Sequence, residues 1–287
     1  MTVIGAVDVL LIVLIGIIEG ITEWLPVSST GHMLIFDEFF ALSASAEFKE
    51  FFFVVIQLGA ILAVVTVFFR KMIPFGIETV APVNAENGKT SKKLYFKADT
   101  FMLWVKVAVA CIPSAVIGLL FDDVLEEKFG SAYSVALMLI VYGVAFILVE
   151  IWRKDRTPKC DSIQNITFLQ AIIIGAFQVL SLIPGTSRSG ATIIGALIIG
   201  VGRTVGAEFT FFLAVPTMLG ASALKLFKYG ALGGAEIAAV LIGAVVAYAV
   251  SLIAIRFLMD FVKKHSFTVF GCYRIALGAI VLLLTLI

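Results

Sequence analysis

Charge is scarce in this 287-residue chain. Asp, Glu, Lys and Arg make up only 14% of it, 21 basic against 20 acidic residues, for a net charge of +1. The missing basic footprint counts against a nucleic-acid binder. Cysteines number three: Cys111 and Cys272 lie in apolar runs and Cys160 in a polar loop. That spacing supports neither a disulfide framework nor a thiolate metal site. Met1 to Leu14 has no Lys or Arg and contains Asp8, so the basic n-region of a secretion signal is missing and the segment is expected to stay as structure.

What fills the chain is apolar side chain, 61% of residues. A soluble domain holds about 45–50% apolar and about 25% charged residues, so one water-facing globule is too small to hide this much. A bilayer is the expected solvent, which excludes intrinsic disorder and a soluble enzyme domain.

Crossing roughly 30 Å of hydrocarbon takes about 20 helical residues. Six runs qualify: 51–69, 102–120, 133–151, 208–227, 236–258 and 268–287. The links 70–101, 152–167 and 259–267 hold twelve basic residues, against three in 42–50, 121–132 and 228–235. The positive-inside bias therefore puts the first set in the cytoplasm. Regions 5–42 and 168–203 are apolar but broken by a polar, proline-containing stretch. Their legs are mostly too short to span at 1.5 Å per residue, so both are expected as re-entrant hairpins.

Parity then gives two halves of opposite orientation. The expected fold is an all-α integral membrane protein with an inverted repeat, each half one re-entrant helical hairpin plus three transmembrane helices. It is a single domain over 1–287, with repeats 1–151 and 168–287 and a cytoplasmic link 152–167. The stretch from Gly16 to His32 aligns with Gly175 to Gly190, with one gap. In such layouts broken helices meet near the midplane and form the site.

Candidate site residues fall on the hairpins. Glu19 and Glu23 share a helical face at i and i+4; an interfacial helix end explains either alone, but together they repel and call for shared protons, an Arg or a divalent cation. Ser28, Ser29, Thr30 and His32 follow at a helix start, where hydroxyls and free N–H groups favour an anion. An ordinary N-cap accounts for a lone serine there, but His32 is one of only two histidines, and a hydroxyl or imidazole beside a base has the makings of a nucleophile. In the second hairpin, Arg188 offers a guanidinium fork suited to phosphate, flanked by Ser187, Ser189 and Thr192, with either glutamate as its alternative partner. Gln178 occupies the place of Glu19 in the repeat and is expected to donate to the same ligand. Gln57, Arg203, Glu208, Arg256, Arg274 and Lys106 weigh less, as interfacial, snorkelling or paired groups.

The runs Glu19-Gly-Ile-Thr-Glu23-Trp-Leu-Pro-Val-Ser-Ser-Thr-Gly-His32 and Pro184-Gly-Thr-Ser-Arg-Ser-Gly-Ala-Thr192 resemble the two signature motifs of the undecaprenyl-diphosphatase, or bacitracin-resistance protein, family. Val55–Val65 and Ala207–Pro216 also resemble it, and the likeness spans essentially the whole chain. It implies a membrane phosphatase that takes one phosphate from undecaprenyl diphosphate, yielding the carrier lipid for peptidoglycan synthesis and hence for cell wall, cell shape and bacitracin resistance. It further implies dependence on a divalent cation, Mg²⁺ or Ca²⁺, held by Glu19 and Glu23, and a site in the bacterial cytoplasmic membrane open to its outer face. By motif, Glu19 and Glu23 are the essential acids, Ser29 or His32 the nucleophile or its helper, Arg188 the diphosphate clamp, and Ser187 and Thr192 supporting hydroxyls. Whether Ser29, His32 or a cation-activated water attacks is open. Expected partners are the lipid substrate and membrane lipids, with a homodimer left open. The rival is a transporter or flippase of a polyprenyl phosphate or other anion, since broken inverted repeats also build transporters.

Overall fold

A computed structural model describes residues 5–40, 42–80 and 91–285. The chain folds as eleven helices among these residues, and five are long and apolar enough to cross a membrane. The first hairpin region forms α1 (Ala6–Thr22) and α2 (Ser29–Phe39), separated by a short turned segment around Pro26. The expected span at 51–69 is longer and interrupted: α3 (Ala46–Val55) and α4 (Gln57–Met72) meet at Ile56, where Gly59 N–H reaches only as far back as the Ile56 carbonyl.

The link 70–101 departs from an all-helical chain. It contains an antiparallel pair, β1 (Phe75–Val80) and β2 (Ser91–Phe96), with Phe75 opposite Phe96 and Ile77 opposite Leu94. Residues 81–90 between them, which include Lys89, lie outside the described residues. The lysines behind the expectation of a cytoplasmic link hide a β-branched and aromatic pattern that suits a strand. Beyond it, α5 (Ala98–Phe129) absorbs most of the expected acidic link 121–132, and α6 (Ala132–Arg153) follows after two residues.

The second half holds α7 (Phe168–Val179), α8 (Arg188–Ile198), α9 (Arg203–Tyr229), α10 (Gly234–Lys264) and α11 (Thr268–Leu284). The last expected span, 268–287, is the 17-residue α11, about 26 Å long and not among the five long helices; its final two residues lie outside the described ones.

Helix pairing repeats between the halves. α1 packs on α10 as α7 packs on α5, α2 touches α11 as α8 touches α6, and α6 lies against α11. The first two crossings are close because each has glycine at the contact. A Cβ on Gly20 would sit 2.8 Å from the Ala247 carbonyl oxygen, and one on Gly175 only 2.1 Å from that of Ala110. Such small-residue approaches suit membranes, where dispersion must replace the hydrophobic drive between helices. The main core gathers Trp24 and Val27 from the first tip with Phe209, Phe211 and Phe212 of α9, so the hairpin tip is packed inside the bundle.

Candidate functional site

Both hairpins turn into their second helix in the same way. Ser28 caps α2 and Ser187 caps α8, with φ of 72° and 69°, the two non-glycine residues with positive φ among those described. Each serine Oγ accepts from the N–H three residues on, Gly31 at 3.5 Å and Gly190 at 3.3 Å. Backbone strain of this kind costs about 1–3 kcal/mol per residue and gathers at functional sites, where the surroundings hold it in place.

The tips meet through charge. Arg188 Nη2 donates to Glu23 Oε1 at 2.8 Å, and its Nη1 to the Thr210 carbonyl at 3.1 Å. Ser189 Oγ donates to the Glu23 carbonyl at 3.2 Å, so side chain and backbone of one residue are both held by the other hairpin. Trp24 lies under the guanidinium, 5.9 Å from its ring centre. Glu19, one turn before Glu23 and 2% exposed, has Glu23, Arg188 and Gln57 as polar neighbours. Its Oε1 has no hydrogen-bond partner. Two carboxylates thus face one guanidinium in a buried space, and one negative charge is left over for a proton or a cation.

The other expected residues divide. Ser187 and Ser189 hydroxyls lie 3.1 Å apart beside Arg188. Thr192 donates to the Arg188 carbonyl at 2.9 Å and meets Thr210 Oγ1 at 2.9 Å; it braces the arginine's backbone. Ser29 is half-buried and Thr30 exposed on the first turn of α2. His32 Nδ1 is 2.7 Å from the Ser28 carbonyl. A carbonyl only accepts, so Nδ1 carries the proton, and in the neutral ring Nε2 accepts from the Tyr273 hydroxyl, also at 2.7 Å. His32 and Tyr273 rings stack 5.6 Å apart.

Gln178 does not join the motif residues. Its Nε2 donates to Ser114 at 2.6 Å and Thr217 at 3.3 Å, while its Oε1, like Glu19 Oε1, is buried without a partner. Ser114 and Thr217 each follow a proline inside a helix, Pro113 in α5 and Pro216 in α9. Their hydroxyls return hydrogen bonds to Cys111 and Leu213 carbonyls. Arg203 and Glu208 also find partners away from the cleft, Glu150 and Lys71.

Arg274 is the residue that sequence reasoning undervalued. It neither snorkels nor pairs with an acid: fully buried on α11, it donates Nη2 to the Gly185 and Thr186 carbonyls at 2.8 and 2.9 Å and Nη1 to the Pro26 carbonyl at 3.4 Å. One guanidinium therefore ties both hairpin tips to the same helix. Gly185 is obligatory there, with φ of +89° and space for a Cβ only 2.6 Å from the Val135 carbonyl oxygen. The available signal was a lone arginine within the apolar run 268–287.

Fold and site together define a class: a multi-pass, predominantly helical membrane protein in which two helical hairpins set a buried carboxylate pair against an arginine. The family model described as "Bacitracin resistance protein BacA" matches residues 12–280. The chain is 57% identical over 282 residues to the undecaprenyl-diphosphatase of Enterococcus faecalis, covering 98% of both chains. It is 52% identical to that of Desulfitobacterium hafniense over 96% of each, and 49% identical to that of Streptococcus thermophilus over 96% of this chain and 93% of the relative. The chain belongs to the bacitracin resistance protein family.

Proposed function

We propose that this protein is an undecaprenyl-diphosphatase, an integral membrane hydrolase that cleaves the phosphoanhydride of undecaprenyl diphosphate. In the net reaction one water is consumed, the P–O–P bond breaks, and undecaprenyl phosphate and inorganic phosphate leave. The products would recycle the carrier lipid for peptidoglycan synthesis in the bacterial plasma membrane and so account for bacitracin resistance. The observation that carries this reading is the Arg188–Glu23 contact across the two tips, beside a carboxylate with an unpartnered oxygen.

Each residue has a role that its position supports. Arg188 presents a fork to the diphosphate oxygens and offsets charge that builds on the leaving phosphate. Glu23 holds that fork in place. His32, with Nδ1 fixed on the Ser28 carbonyl, keeps Nε2 for taking a proton or for attack once Tyr273 gives way. Ser29 stands three residues before it on the same helical face, so a serine, a histidine and a water nucleophile all stay available. Ser187 and Ser189 add hydroxyls beside Arg188, whereas Ser28 and Thr192 position backbone. Gln178 has its Nε2 committed to Ser114 and Thr217, so its unpartnered Oε1 is what it can offer a ligand.

The donors fit a divalent cation. Glu19, Glu23 and Gln57 bring oxygen ligands of the kind Mg²⁺ and Ca²⁺ prefer, and the unpartnered Glu19 Oε1 is an oxygen that such an ion would satisfy. The cation would supply Lewis-acid polarisation of the phosphate. The repeated helix pairing supports an inverted repeat with two re-entrant hairpins, the basic links support a cytoplasmic placement of those links, and a site open to the outer face rests on the family resemblance. The relatives' shared phosphatase name supports hydrolysis over transport.

The test is phosphate release from undecaprenyl diphosphate by the purified protein in detergent, with Mg²⁺ or Ca²⁺ and with chelator. Release that needs the cation is expected; no release under any condition, with the lipid instead moved intact across a vesicle membrane, would overturn the assignment.

A further inference from the structure

At the far end of α8 from Arg188, about 15 Å along the helix, a cavity of about 300 Å³ opens between the end of α6, the 154–161 link and the start of α9. Arg153, Lys154, Arg156 and Arg203 line it, against Glu150 and Asp161. Glu150 is already committed, accepting from Arg203 Nε at 2.9 and 3.1 Å and from the Phe267 backbone N–H at 2.9 Å. Three cations are left on the wall, with Asp161 as their one remaining counter-charge.

Arg153 is the unusual member. It is 8% exposed, makes no ion pair among the described residues, and spends one hydrogen bond there, Nη1 to the Leu197 carbonyl at 2.8 Å, of the five that a guanidinium can donate. The positive-inside bias accounts for Lys or Arg at a span end that reaches into water. It does not account for a guanidinium folded under cover against a cavity. The same wall holds the start of α9, whose N-cap, Gly202, has no side chain to cap with. The first intrahelical bond there is Gly206 N–H to the Gly202 carbonyl, so the N–H groups of Arg203, Thr204 and Val205 lie ahead of it, in the usual place for an anion. Trp152, which precedes Arg153, is exposed, and the Arg156 guanidinium of the cavity wall lies 4.0 Å from its ring centre, an arrangement typical of the headgroup layer.

We propose that this cavity is a second anion site, separate from the hairpin tips, that takes a phosphate monoester or inorganic phosphate between Arg153, Lys154, Arg156 and the first turn of α9. The volume exceeds that of a bare phosphate several-fold, so a lipid headgroup enters as readily as the free ion. The guanidinium fork of Arg153 matches two phosphate oxygens at once.

The probes are inorganic phosphate and decyl phosphate, titrated by calorimetry into full-length protein in a neutral detergent. The background is the Glu23→Gln/Arg188→Gln variant, which lacks the tip guanidinium and leaves this cavity as the measured site. One equivalent is expected to bind. Added Arg153→Gln is expected to weaken it by about tenfold or more, as loss of a bidentate charged contact does. Lys154→Gln with Arg156→Gln, both exposed and therefore harmless to the fold, is expected to weaken it by about threefold at low salt. Decyl phosphate binding about tenfold tighter than inorganic phosphate identifies a lipid headgroup as the occupant, and equal affinities identify the free ion. Absence of binding by both probes at about 10 mM, or affinity unmoved by all three substitutions, overturns the proposal.

Discussion

Breaking the ion pair at the hairpin tips is expected to be far costlier from one side than from both. Arg188 and Glu23 side chains are 10% and 9% exposed, so solvent screens their interaction little. Arg188→Gln leaves a buried carboxylate facing Glu19 with no cation beside it and strips the Thr210 carbonyl of its donor at 3.1 Å. Removing one partner of such a pair costs about 3–5 kcal/mol. Glu23→Gln leaves the guanidinium with Thr210 and the neighbouring Glu19, so its cost is expected at the lower end or below it. With both changed, no unpaired charge is created at the contact, and the double variant is expected to be more stable than the sum of the singles by about 2–3 kcal/mol. The assay is a double-mutant cycle on equilibrium unfolding in mixed micelles, followed by helical signal. Additivity within about 0.5 kcal/mol would refute the claim that this contact joins the two halves.

Other outcomes follow from single features. Arg274→Met orphans three buried carbonyls that hold both tips to α11; folded yield is expected to fall sharply, with Arg274→Lys recovering part of it, measured by gel filtration and unfolding. Gly175→Ala drives a methyl to 2.1 Å from the Ala110 carbonyl oxygen and is expected to cost about 1–3 kcal/mol or more, whereas Gly220→Ala, with open space around it, is expected to be neutral in the same unfolding assay. His32→Ala is expected to lower kcat by about 10²–10⁴-fold. Tyr273→Phe, which only frees Nε2, is expected to shift the pH–rate profile with a much smaller loss in kcat; equal losses in the two variants would argue that the ring matters for packing alone.

Much of the site was legible because charge is so rare. Glu19, Glu23 and Arg188 stood out against apolar neighbours, and the repeated Ser-x-x-Gly pattern at Ser28 and Ser187 carried the two matching caps. The coarse helical membrane fold followed from apolar run length in the same way. Other features depend on distances that no local pattern encodes. The link 70–101 looked like loop because its lysines report topology, masking a strand pair whose apolar side chains remain exposed at Phe75, Ile77 and Leu94. Gln178 sat opposite Glu19 in the aligned halves, yet Ser114 and Thr217, which follow the helix-internal prolines of α5 and α9, claim its amide nitrogen. Arg274 looked like a snorkelling cation because its acceptors are backbone carbonyls of the distant tips, and carbonyls leave no trace in composition. Burial of Arg153 was hidden for a related reason, since a basic residue at a span end is the ordinary topological marker.

The most direct test of the account follows undecaprenyl diphosphate by ³¹P nuclear magnetic resonance with purified wild-type protein and the Glu19→Gln, Glu23→Gln and Arg188→Ala variants, each shown to be folded. The wild type, with Mg²⁺ or Ca²⁺ present, is expected to convert the two diphosphate resonances into one monoester and one inorganic phosphate signal, and each variant to lose this conversion by about 10²-fold or more. Full conversion by any of the three, or an unchanged diphosphate in the wild type, would contradict the account.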